Sequence, residues 1–215
     1  MRRHPLLIGL VLVLGATPAA TQAPAAPVVI YLHGRIVEEQ GPGAVSPEFG
    51  AYGYQAILDS LRAGGFQVLA DLRPKGTDVA EDADRVARQV DSLLKAGIPP
   101  RRIAVVGFSK GGRIAIQSAA LLHRTDITFV FMAACSEGSA DLQIAGRVLS
   151  VFEASDSLGR SCEPLFARAR HGTVHRERQI HTGQRHGAFY QPRPEWLEPV
   201  RAWIRRTPSA KPPTN

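Results

Sequence analysis

The stretches Val28–Leu32, Ile103–Val106, Ile127–Ala134 and Val148–Phe152 are apolar at nearly every position rather than at every second one. A strand of that kind has both faces buried, which points to a parallel sheet covered by helices on each side. Segments with a single apolar face stand between these runs. Tyr54, Ile57, Leu58 and Leu61 mark one side of a helix over Tyr52–Ala63, stopped by Gly64 and Gly65. Asp78, with Glu81 three residues on, has the form of a capping box. It precedes the stripe Val79, Ala83, Val86, Ala87, Val90, Leu93 and Leu94, which Gly97, Pro99 and Pro100 end. Further helices are expected at Arg113–His123, in short form at Pro164–Ala169, and around Trp196, Leu197, Val200, Trp203 and Ile204. In the last of these, Pro199 either opens the helix or kinks its first turn. Phe66–Ala70 and Thr173–Ile180 bring the strands to six, and the polar Thr173–Ile180 belongs near an edge. Ile36–Pro47, with its glycines and proline, reads as a loop. The pattern predicts an α/β fold over residues 28–206, with a mostly parallel six-stranded sheet and helices on both faces.

The ends stand outside that domain. Arg2 and Arg3, the apolar Leu6–Gly15 and the small residues Ala16–Ala25 have the three-part form of a secretory signal peptide over residues 1–25. Ala23-Pro24-Ala25 places the cut after Ala25; a cut after Ala19, with Thr17 at −3, is the alternative. The apolar run is about half the ~20 residues a spanning helix needs. Export to the periplasm or medium follows as an expectation, with no stable membrane insertion after cleavage. Residues 26–27 serve as a linker and 207–215 as a disordered tail. The formal charge of +7 falls by two when Arg2 and Arg3 are removed. The remaining basic residues form neither a run nor an aromatic platform, so they read as a solvated surface and no nucleic-acid partner is expected. Cys135 and Cys162 in an exported chain are expected to form a disulfide worth roughly 3–4 kcal/mol, with two buried thiols as the alternative.

Chemistry concentrates at Gly107-Phe108-Ser109-Lys110-Gly111-Gly112. A buried strand runs into this Gly-x-Ser-x-Gly, and a helix follows. That is the context of a nucleophile elbow, where glycines let strand and helix approach closely around a strained serine. In open α/β sheets, ligands bind beyond the carboxyl ends of the strands. Ser109, Asp156 and His186 all fall there, in the order nucleophile, acid, base. A serine hydroxyl needs a base to take its proton, and an imidazole needs a carboxylate to fix its tautomer. Glu153 and Asp141 are rival acids, and His181 is the rival base. The oxyanion hole is expected from the backbone amides of Lys110 and Arg35, with His33 bracing the first loop. His171 and His175 are four apart but interrupted by Gly172, and read as surface residues rather than metal ligands. No cofactor is required by this chemistry. No Gly-x-Gly-x-x-Gly follows a strand and no P-loop is present.

The chain resembles the small, lidless, secreted α/β-hydrolases, through His33-Gly34, the Gly107–Gly112 segment, Ser155-Asp156 and His186-Gly187. It is also similar to uncharacterised bacterial hydrolases with His-Gly-Arg-Ile, Arg-Pro-Lys-Gly-Thr-Asp and Gly-x-Ser-Lys-Gly segments. The resemblance implies a carboxylic-ester hydrolase acting on a small molecule, with thioesters or amides open to the same chemistry. A hydrolase-fold binding protein without activity is the rival from another class. The interval between the fourth and fifth strands is too short for a cap domain, so an open site is expected. Arg35, Arg73, Lys75 and Lys110 would bias that site toward anionic or polar esters. Alternatively, Arg35 and Arg73 pair with Glu38, Glu39 or Asp78 to order the loops.

Overall fold

A computed structural model describes residues 26–206. The signal peptide expected at 1–25 and the tail at 207–215 lie outside the described residues. The elements are β1 (Val28–Leu32), α1 (Arg35–Gln40), β2 (Val45–Ser46), β3 (Gly50–Ala51), α2 (Tyr54–Ala63), β4 (Gln67–Leu69) and α3 (Val79–Lys95). They continue with β5 (Ile103–Phe108), α4 (Lys110–Leu122), β6 (Thr128–Met132), β7 (Arg147–Glu153), α5 (Glu163–Phe166), β8 (Val174–Ile180) and α6 (Pro194–Arg205).

Six strands form one sheet in the order β4-β1-β5-β6-β7-β8, and every neighbouring pair is parallel. The polar β8 is an edge, as its composition implied. Residues of each central strand alternate between two cores. Val29, Tyr31, Val106, Val130 and Val151 pack with α2 and α6 through Ile57, Leu61, Trp196 and Val200. Ile30, Leu32, Val105, Phe129 and Val148 pack on the opposite face with α3 and α4 through Val86, Val90, Ile114 and Ala115. Each such side chain, fully buried, contributes on the order of 1.5–3 kcal/mol, which is why the central strands are apolar at nearly every position.

The ends of the helices follow from local chemistry. The Asp78 carboxylate accepts the N–H groups of Ala80 and Glu81 at 2.7 and 3.1 Å, capping α3. Pro194 occupies the first turn of α6, where its missing N–H costs nothing, so the helix opens there and Pro199 lies inside it. The segment expected as a loop over Ile36–Pro47 instead holds the one-and-a-half-turn α1, and the short hairpin β2-β3 spans its far end. Six residues are too few to show a helical period. Burial of Val37 and Glu38, not propensity, holds this turn, which ends at Gly41 with φ 80°. Likewise α4 starts at Lys110 rather than Arg113, because Gly111 and Gly112 are weak helix formers that packing requires here. Among the described residues, no helix is long and apolar enough to cross a membrane.

Candidate active site

At the carboxyl end of β5 the chain turns sharply into α4, and Ser109 at the corner has φ 53° and ψ −118°. This left-handed geometry is costly for a residue with a side chain. The surroundings enforce it. The Ser109 N–H donates to Met132 O at 2.9 Å, and the Arg113 N–H donates to Ser109 O at 3.0 Å. A Cβ on Gly107 would collide with the Gly111 carbonyl, and one on Gly111 with the Leu32 carbonyl, both closer than 3.0 Å. Those two glycines let α4 and β1 press against the corner.

The loop after β8 contains a short 3-10 turn, Arg185–Phe189, that turns His186 back over the sheet. Its ring packs on Phe108 at 4.8 Å between centroids. His186 Nε2 lies 2.9 Å from Ser109 Oγ, and Nδ1 lies 2.8 Å from Asp156 Oδ2. A carboxylate can only accept, so Nδ1 carries the proton and Nε2 is left to accept from the serine hydroxyl. Asp156 is itself fixed, since its Oδ1 accepts the Leu158 N–H at 2.9 Å. The structure thus brings the three residues singled out by chain order into one hydrogen-bonded line.

The rivals fall elsewhere. Asp141 is a surface residue 3.7 Å from Arg168, and His181 is exposed. Glu153 is buried at the end of β7 and serves as a brace. It accepts the Ser155 N–H at 2.6 Å and hydroxyl at 2.5 Å, and the N–H groups of Thr182 and Gly183 at 2.9 and 3.0 Å. One carboxylate therefore ties the loop of Asp156 to the loop of His186. Burial alone would raise its pKa, but these donors outweigh it and hold the carboxyl below the usual range.

A cavity of about 390 Å³ opens over Ser109 and His186. Its wall includes Gly34, Phe49, Ala133 and Leu158, with Arg35, Glu39 and Arg113 adding charge. The connection from β6 to β7 contributes only a single 3-10 turn, Glu137–Ser139, and no layer over this mouth. Of the four cations expected at the site, only Arg35 lines the cavity. Lys75 is exposed outside it. Arg73 and Lys110 are turned inward, where Lys110 Nζ lies 2.6 Å from Glu38 Oε1 and Arg73 Nε 3.4 Å from Glu38 Oε2. The loop-ordering alternative is the arrangement observed for Arg73. Arg113 also lines the cavity, although the sequence reading did not single it out. Its position one turn after Ser109, on the same side of α4, was the sequence signal for it.

His33 is fully buried behind the first loop. Its Nε2 accepts the Arg73 N–H at 3.1 Å, so Nδ1 holds the proton and donates to Gly34 O at 2.9 Å. Burial, reinforced by the nearby Arg73 charge, pushes its pKa from 6.5 down to about 4. At the other side of the mouth, Cys135 and Cys162 form a disulfide.

The family model described as phospholipase/carboxylesterase matches residues 67–136, from β4 past the serine turn to just beyond β6. That match contains Ser109 but reaches neither Asp156 nor His186. No curated protein sequence matches the chain. Among solved structures, SOBER1 of Arabidopsis thaliana superposes with a TM-score of 0.57 at 14% identity, covering 84% of this chain and 98% of that one. The esterase Pf2001 of Pyrococcus furiosus gives 0.55 at 15%, covering 84% and 82%. The parallel sheet order, the strained serine corner and these likenesses agree, and the chain has the α/β-hydrolase fold.

Proposed function

We propose that the protein is a serine hydrolase of small carboxylic esters working through an acyl-enzyme. The observation that carries this reading is the 2.9 Å contact between Ser109 Oγ and an imidazole whose other nitrogen is held by Asp156. In it, Ser109 attacks the ester carbonyl as His186 Nε2 takes the hydroxyl proton. Asp156 keeps the tautomer fixed and stabilises the imidazolium. The amides of Lys110 and Arg35 receive the oxyanion. The Lys110 N–H heads α4 and has no acceptor within the helix, and the Gly34–Arg35 turn closes against the serine, since a Cβ on Gly34 would sit 3.7 Å from Ser109 Cβ. His186 then returns its proton to the leaving alcohol and activates water to release the acid. A cavity of about 390 Å³, mostly apolar and uncapped among the described residues, suits short acyl groups with a leaving group left in solvent.

We also propose that the protein works outside the cytoplasm. The disulfide supports it, because such bonds persist in oxidising compartments.

Rapid mixing with a p-nitrophenyl ester tests the mechanism. A burst of one nitrophenolate per protein, followed by slower turnover, is the expected result. Turnover without covalent acylation under any ester tried would count against the acyl-enzyme.

A further inference from the structure

The side chain of Lys110 needs an explanation. It follows the serine directly, yet it is buried and reaches away from the cavity to Glu38 on α1. We infer that Lys110, Glu38 and Arg73 form a positioning clamp that sets the spacing of the two oxyanion amides, so that this lysine acts on the transition state without touching substrate. The inference rests on the hydrolase reading above.

A single carboxylate gathers three loops. Glu38 Oε1 accepts from Lys110 Nζ at 2.6 Å and from the Gly76 N–H at 3.1 Å, and Oε2 accepts from Arg73 Nε at 3.4 Å. Arg73 Nη2 also donates to the His33 carbonyl, one peptide ahead of Gly34. The serine corner, the turn after β1 and the loop after β4 are therefore joined at one point. Two of the three carry the amides of Lys110 and Arg35. The buried charges balance, since Asp82 Oδ2 lies 3.9 Å from Arg73 Nε and gives two anions to two cations.

Stability is not by itself a sufficient reason for this arrangement. Replacing buried ion pairs by apolar groups of similar shape is often neutral or stabilising by about 1–4 kcal/mol. A short, charge-assisted bond supplies what packing alone does not, a fixed distance and direction. Oxyanion donors need that: a misplacement of about 1 Å can cost on the order of 100-fold in rate.

The test uses Lys110→Met, Glu38→Gln, the double variant and Lys110→Arg, with thermal unfolding followed for each. Turnover of p-nitrophenyl acetate is measured beside inhibition by a trifluoromethyl ketone, whose adduct carries the oxyanion. Each single variant should lose about 10–100-fold in kcat, with KM within about threefold and ketone affinity falling by the same factor as kcat. The double variant should be no worse than the poorer single, and Lys110→Arg should recover part of the loss. Folded variants with unchanged kcat and ketone affinity would overturn the clamp, as would losses that simply add. If Lys110→Met does not fold, the near-isosteric Glu38→Gln decides the matter alone. Ser109→Ala is run in parallel: if it turns over like the parent, the hydrolase reading fails and the clamp with it. If only Ser109→Ala is inactive, the clamp alone fails.

Discussion

Cys135 and Cys162 are joined by a disulfide with Cα atoms 5.3 Å apart, and the loop that it closes carries Asp156. The bridge anchors the far end of that loop to the residue pair Ala133-Ala134, which lines the cavity. Breaking it should cost roughly 3–4 kcal/mol, since the sequence separation is 27. Urea unfolding with and without reductant measures the cost. The reduced protein should also lose esterase activity before it unfolds, because the loop that carries the acid is released from one of its two anchors.

The other anchor is Glu153. Glu153→Ala leaves the N–H groups of Thr182, Gly183 and Ser155 without their acceptor, and should destabilise by about 2–4 kcal/mol while lowering kcat. Its carboxyl titrates below the usual range in the folded state. The stability it contributes is therefore complete above about pH 4.5 and is lost as the pH falls through the depressed folded value. Glu153→Gln should flatten the acid limb of a stability–pH curve below that point.

His33 should govern the limb above it. The folded ring titrates near 4 and the unfolded one near 6.5, so below 6.5 the unfolded chain takes up a proton that the fold refuses. Stability is full above pH 6.5 and should decline by about 3 kcal/mol as the pH falls to about 4. In His33→Gln that decline should be absent. Chemical denaturation across this range checks it.

Much of this was legible because it is periodic or punctuated. Four apolar runs gave the centre of the sheet, with Phe66–Ala70 and the polar Thr173–Ile180 added at its edges, and Gly107, Gly111 and Gly112 marked the corner where a Cβ does not fit. Chain order placed Ser109, Asp156 and His186 beyond strand ends, where the structure brings them within hydrogen-bonding distance. The inward turn of Arg73 and Lys110 was not legible. It depends on α1, a helix too short to show a period, which presents Glu38 to residues 35 and 72 positions away in the chain. The bracing role of Glu153 was hidden for another reason, since three of its four donors are backbone amides that any sequence supplies.

The corner itself gives a steric prediction. Gly111→Ala drives a methyl group into the Leu32 carbonyl, backbone that cannot yield without moving β1. The variant should lose more than about 3 kcal/mol or fail to accumulate as folded protein. Gly41→Ala is the control. Nothing lies within 4 Å of its Cβ position, and only its φ of +80° resists the change, so its cost should be about 1 kcal/mol.

Arg35 and Arg113 set the charge of the cavity wall against Glu39 alone. Arg113→Glu should lower kcat/KM for a hemisuccinate ester about fivefold relative to a neutral ester of equal length. The difference should shrink in 1 M salt, as expected for partly exposed charges. Unchanged selectivity would remove Arg113 from substrate recognition.

The central claim is that Ser109 is the nucleophile. Treatment of the purified protein with a fluorophosphonate, followed by peptide mapping, tests it directly. The account predicts one covalent adduct on Ser109, absent in Ser109→Ala and strongly slowed in His186→Ala. A folded protein that takes no label, or one still labelled in Ser109→Ala, would contradict it.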